Sequence, residues 1–260
     1  MKREVLIPRI KLDTKVDIPF EAAQVTIYQP SIEEIGLIGE NEFLIGVNAL
    51  SKNYKNIQDN SDLSEMSNFD IFMSVIGEKT ENSKRIARAI SSVLFLIFPN
   101  YKIGFTPRAI VLKGEEEQAH IIDANNFDEF GQLLFEIFCL GELIGDMQGD
   151  YNPAGDRARA IVEKFKNRRE FLAELRKERG QDPTKMSLYG RYINILAVGL
   201  GKNKNELKQY SVYQLIEEFK RFTLKQTFDY TFQAKMAGAT KLKDAKDWMG
   251  DVQFGDIEED

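Results

Sequence analysis

The sequence predicts an α+β fold, with mixed strands and helices in the N-terminal part and helices alone in the C-terminal region. Three observations predict it. Stretches rich in β-branched residues occur early, in "EVLIPRIKL" and "AAQVTIYQP", and again across "YKIGFTPRAIVLKGEEEQAHIID". Apolar residues recur at spacings of three and four in "NSKRIARAISSVLFLIF" and in several later segments. After the Gly/Asn/Asp/Pro-rich break "IGDMQGDYNPAG" the strand pattern does not return. That break divides the chain into an α+β domain over 1–147, a charged connecting helix over 148–182, a helical C-terminal domain over 183–250 and an acidic tail over 251–260.

Taken in order, the two early β-rich stretches are expected to be antiparallel segments, with Pro8 marking an edge strand or a bulge. "PSIEEIGLIGE" then opens a helix, because Ser31 and Glu34 have capping-box spacing. Gly36 and Gly39 weaken it, and "NEFLIGVNALSK" continues as a second helical piece. Residues 53–68 are polar and turn-rich, as a surface loop is. "NFDIFMSVIG" reads as a helix. So does the segment carrying Ile86, Ile90, Val93, Leu94 and Ile97, which Pro99 and Asn100 stop. "KGEEEQ" is the turn of a hairpin, and His120 sits on its second arm as an ordinary strand residue. "NNFDEFGQLLFEIFCLGEL" is amphipathic, and Cys139 lies on its apolar face as a buried, inert thiol.

Beyond the break, Ala158, Ile161, Val162, Phe165, Leu172 and Leu175 give the connecting helix a single apolar stripe. "SLYGRYINILAVGLG" is a mostly apolar helix ending at Gly199 or Gly201. "SVYQLIEEFKRFTLKQTFDYTFQAKMAGA" begins with a second capping box, Ser211 with Gln214. Val212, Leu215, Ile216, Phe219 and Phe222 form its apolar face, which Phe228, Phe232 and Met236 are expected to prolong until Gly238 breaks the helix. Leu242, Ala245, Trp248 and Met249 line a short amphipathic piece.

Composition excludes several function classes. The chain has 260 residues, 43% hydrophobic and 29% charged, with net charge −6, so it is an ordinary globular sequence with no global nucleic-acid signature. One cysteine permits no internal disulfide and fits a reducing cytoplasm. The N-terminus lacks the apolar core of a signal peptide, and the most apolar run, residues 89–98, is too short to span a bilayer. No membrane association is expected.

The motifs that suggest chemistry fail on inspection. "GLGKN" resembles a phosphate loop, but Leu196 replaces the first glycine and Asn203 the hydroxyl that would hold magnesium. "DYNPAGD" begins like a calcium loop, but Ala154 and Ile161 occupy ligand positions. One Cys and one His build no zinc site, and no partner completes a triad with His120. No catalytic residue, metal or cofactor is assigned.

Two features point to binding. Between 156 and 179 nine Lys/Arg face five Asp/Glu, a local +4 in a chain otherwise at −10. Arg157, Arg159, Arg168, Arg169, Arg176 and Lys177 could contact phosphates, although the interspersed glutamates also suit a solvated face or a protein interface. The second feature is an excess of aromatics, 18 Phe, nine Tyr and one Trp. The single tryptophan, Trp248, lies at the end of the C-terminal helices. It either tucks back onto its own domain or docks on a partner.

The run from "YINILAVGLG" to "DWMGDV" resembles tailed-bacteriophage proteins of the tail and baseplate morphogenesis class, some of them tail-assembly-chaperone-like. "YQLIEEFKRF", "AKMAGA" and "DWMGDV" carry the likeness, with "IYQPSIEEIGLIGENEFLIG" and "DYNPAGDRARAIVEKFK" beside them. The resemblance implies a non-enzymatic phage tail or baseplate protein, a virion component or an assembly factor, acting through other phage tail or baseplate proteins. It implies residence in the host cytoplasm during assembly, or in the virion tail. Whether the chain forms an oligomer is left open. Trp248 and Met249 are the expected partner-binding anchors, with Tyr213, Phe219 and Phe222 as support or core. The second reading is a nucleic-acid-associated phage protein using the basic helix 157–179.

Overall fold

A computed structural model of the chain describes residues 7–52, 54, 66–78, 80–115, 118–141, 187–238 and 248–249. The expected connecting helix over 148–182, with the six basic residues of the nucleic-acid reading, lies outside the described residues. So do Leu242, Ala245, the acidic tail and most of the 53–68 loop.

The architecture is α+β. Helix α1 (Arg9–Asp13) leads into strands β1 (Ile18–Phe20) and β2 (Val25–Ile27), and helices α2 (Ile32–Ile38), α3 (Glu40–Ser51), α4 (Asn68–Gly77) and α5 (Glu81–Ile97) follow. Strands β3 (Lys102–Thr106), β4 (Ala109–Lys113) and β5 (Ala119–Ile122) come next, then α6 (Phe127–Ile137), α7 (Leu188–Leu200), α8 (Lys204–Leu207) and α9 (Val212–Met236).

The first strand is displaced from its expected place. The last four residues of "EVLIPRIKL" are helical, in α1 (Arg9–Asp13), and Pro8 is the N-cap of α1 rather than an edge-strand residue. Proline suits a helix start because its ring fixes φ near the helical value and the missing N–H has no intrahelical partner there. Pairing passes instead to the intervening segment, where Ile18 lies opposite Ile27 and Phe20 opposite Val25. Alternation places Ile18, Phe20, Val25 and Ile27 in the core. The later hairpin is present as expected and gains a third strand, in the antiparallel order β3-β4-β5.

Both expected capping boxes exist. Ser31 Oγ accepts from the backbone N–H of Glu34, whose carboxylate accepts from the backbone N–H of Ser31; Ser211 and Gln214 do the same for α9. A third box, Ser67 with Asp70, starts α4. Gly39, at φ 92°, separates α2 from α3, and Gly201, at φ 66°, ends α7 in the left-handed region where a β-carbon is penalised.

Helix α3 packs between α5 and α6. Gly46 permits the first contact, since a β-carbon there would lie 2.4 Å from the Ala89 carbonyl oxygen. Phenylalanines fill the space between the helices and the strands. Phe130 sits 5.6 Å from Phe20 and 6.0 Å from Phe98, and Phe127 sits 4.9 Å from Phe72. Much of the aromatic excess is therefore N-terminal core. Cys139 is buried, as expected, but it follows α6 in a left-handed turn at φ 49° rather than lying on the helix face. Burial pushes its thiol up to about 12, away from the reactive thiolate.

Candidate interaction surface

Helices α7 and α9 pack side by side. Tyr192 stacks on Phe219 with ring centroids 4.4 Å apart. Gly199 brings α7 close to Phe222, whose ring would stand 2.2 Å from a β-carbon at that position. Tyr189, Tyr192, Leu196, Leu207, Val212, Tyr213, Leu215 and Ile216 join the same buried cluster as the N-terminal phenylalanines.

The C-terminal helices are tied to the N-terminal elements by hydrogen bonds as well. Glu40 Oε1 accepts from the backbone N–H groups of Leu188 (2.7 Å) and Tyr189 (3.3 Å), so a carboxylate from α3 caps α7. Gln214 Nε2 donates to the Asp13 carbonyl at 2.7 Å, and Lys15 Nζ to the Gln209 carbonyl at 3.0 Å.

The expected anchors divide by burial. Tyr213 is 2% exposed and belongs to the core, and burial pushes its hydroxyl far above the ordinary tyrosine range. Phe219 and Phe222 are partly buried and pack against that core. Trp248 is half-buried. Arg221 Nη1 donates to its carbonyl oxygen at 2.9 Å, and Lys225 Nζ stands 5.9 Å from the centre of its ring, within cation–π range. Met249 beside it is 73% exposed.

The apolar face of α9 does not continue as expected. At about 100° per residue, Phe228 lies roughly opposite Phe219 around the helix. The row Leu224, Phe228, Phe232 and Met236, spaced by four, therefore runs on the flank that carries Arg221 and Lys225, where Trp248 is held. Positions that would extend the core-facing stripe are Thr223, Gln226, Tyr230 and Gln233, and the one aromatic among them, Tyr230, is exposed rather than packed on the core. Leu224 and Phe228 are half-buried, while Phe232 (57%) and Met236 (75%) are exposed. Sequence reading missed this shift because it followed apolar residues along the chain without keeping their angular phase.

Ion pairs flank the row. Lys225 meets Asp229 at 2.6 Å and Arg221 meets Glu217 at 3.0 Å, each one turn away on the same helix. Among the described residues no cluster of three or more His, Cys, Asp or Glu is arranged to hold a metal ion, and no helix is long and apolar enough to cross a membrane.

No curated protein and no solved structure matches the chain. Residues 181–253, the stretch that contains α7–α9, Trp248 and Met249, match the family model of the YomV second domain, so this part of the chain is similar to a phage-derived domain.

Proposed function

We propose that the chain is a non-enzymatic bacteriophage protein of the tail or baseplate, a virion component or an assembly factor, acting through protein–protein contacts of its C-terminal helices. The observation that supports this most is the apolar flank of α9, where Phe232 and Met236 stand exposed, together with the exposed Met249 next to the half-buried Trp248 held at Arg221 and Lys225 of the same helix. Large apolar side chains grouped at the surface favour a partner, because burying them there removes apolar area from water at about 25 cal/mol per Å². The similarity of residues 181–253 to a phage-derived domain supplies the phage context.

The test is mass spectrometry of purified particles together with a charge-bearing variant, Phe232→Asp/Met236→Asp. Both positions are exposed, so the variant is expected to keep the melting temperature of the parent chain while tail assembly drops. Intact assembly with the double variant sinks the proposal. Finding the chain in particles assigns it as a component. Absence from particles, with failed tails on deletion, assigns it as an assembly factor.

A further inference from the structure

Strand β3 is the outer strand of the three-stranded sheet and pairs with β4 alone among the described residues. Its five residues, "KIGFT", are exposed except for the half-buried Ile103. Phe105 is 41% exposed although its cross-strand neighbour Ile110 is fully buried. Nothing stands within 4 Å of where a β-carbon would sit on Gly104. Such an edge carries backbone N–H and C=O groups that no strand among the described residues satisfies, a ready template for another strand. Only Lys102 guards it with charge.

The sequence of this edge is complementary to itself. In an antiparallel pairing of two copies centred on Gly104, Ile103 of one lies opposite Phe105 of the other, on the face that holds Leu112 and Ile110 in β4. Lys102 lies opposite Thr106, and Gly104 faces Gly104 on the two-fold axis. Apolar meets apolar on one face, and no like charges oppose each other on the other. Shifting the centre to Phe105 would set Lys102 against Arg108 and Ile103 against Pro107, which has no N–H to donate. Only the Gly104 register uses all five residues without a conflict.

We propose that two copies of this chain associate through β3, in an isologous antiparallel pair centred on Gly104 that joins their sheets into one of six strands. The area of a five-residue pairing is small, so the association is concentration-dependent rather than permanent. The proposal is independent of the reading given to α9.

Gly104→Cys tests it directly. Paired strands hold opposed α-carbons about 4.5–5.5 Å apart, inside the range a disulfide spans. The native Cys139 is buried and stays out of the reaction. Under mild oxidation Gly104→Cys is expected to form a covalent dimer faster than Thr106→Cys, by on the order of tenfold, because pairing raises the local thiol concentration. Thr106 is as open to solvent but does not oppose itself in this register. A mixture of Lys102→Cys with Thr106→Cys is expected to give the mixed dimer in preference to either self-dimer, and this arm stands if Gly104→Cys folds poorly. Light scattering of the parent chain should show a dimer that grows with concentration and is lost in Phe105→Lys. Equal cross-linking rates for the 104 and 106 variants, or no preference in the mixture, overturns the proposal.

Discussion

Ser31 and Ser211 face each other in an isolated antiparallel bridge, and each is the N-cap of its own helix. The first free N–H groups of α2 do not point to water. Ile32 donates to the Tyr210 carbonyl at 3.0 Å and Glu33 to the Lys208 carbonyl at 2.9 Å. Two helices 180 residues apart in the chain thus begin at one shared point, where the turn after α8 satisfies groups that every helix start leaves open.

This joint makes the two caps interdependent. Ser31→Ala and Ser211→Ala should each lower unfolding stability by about 1 kcal/mol. If either cap loosens the shared bridge, the double variant should lose less than the sum, with a coupling of at least ~0.5 kcal/mol. Urea unfolding of the four chains measures it, and strict additivity would mean that the helix starts behave as separate units.

The same joint should be sensitive to acid. Burial opposes the charge on Glu34, but hydrogen bonds from Ser31 and Tyr28 outweigh it and hold the carboxyl below the usual range. A carboxylate whose value is depressed on folding contributes stability above the unfolded value, near 4.3, and loses it as pH falls through the lower folded value. Glu34→Gln keeps a capping side chain and removes the charge. It should be less stable than the parent by about 0.5–1 kcal/mol at neutral pH, and the gap should close as unfolding is followed below about pH 4.

The two capping boxes, the glycine stops and the hairpin were legible in the sequence because each rests on residues close together in the chain. Ser31 and Glu34 announce a helix start by spacing alone, and Gly201 announces an end. The bridge between Ser31 and Ser211 was not legible, since it joins two local signals that carry no mark of one another. Pro8 misled because proline suits both a strand edge and a first helical turn, and the choice was made by where Ile18 and Phe20 could reach the core. At the candidate surface, the residue types were visible, but burial decided between them. Tyr213 and Met249 look equally apolar in the sequence, and one is sealed while the other is open.

Helix packing gives a prediction in which one substitution has opposite signs at two sites. Alanine favours a helix over glycine by about 1 kcal/mol. Gly36, with nothing within 4 Å of an added β-carbon, should gain roughly that amount as Gly36→Ala. Gly46 faces Ala89 and the Val93 side chain, with backbone atoms under 3 Å from the added carbon. Gly46→Ala should therefore lose about 1–3 kcal/mol by overpacking, despite the same helical gain. Thermal melts of the two variants read the difference directly.

Lys220 should make stability depend on alkaline pH. Burial on α9 pushes its ammonium down to about 8. Between that value and the ordinary lysine value near 10.4 the unfolded chain binds more protons than the folded one, so this group's contribution to stability rises with pH across that window. Lys220→Met removes the buried charge. The variant should gain on the parent below pH 8, by on the order of 2 kcal/mol, and the advantage should shrink toward pH 10. A gap that stays constant from pH 7 to 10 would show that Lys220 keeps its ordinary ionisation.

Tyr213 and Met249 offer the cleanest separation of folding from docking. Tyr213 is sealed in the core that α9 shares with the N-terminal helices, so Tyr213→Ala should cost about 3–5 kcal/mol, the range for emptying a large aromatic site. Met249 is open to solvent next to Trp248, and Met249→Ser should change stability by no more than about 0.5 kcal/mol. On the docking reading the order reverses for assembly measured per folded molecule. Met249→Ser lowers the yield of complete tails at full folded concentration, whereas Tyr213→Ala lowers it only in proportion to the chain lost to unfolding. Circular dichroism melts beside particle counts give both quantities from the same samples. Full assembly by Met249→Ser would remove this methionine from the contact and leave Phe232 and Met236 as the positions to test.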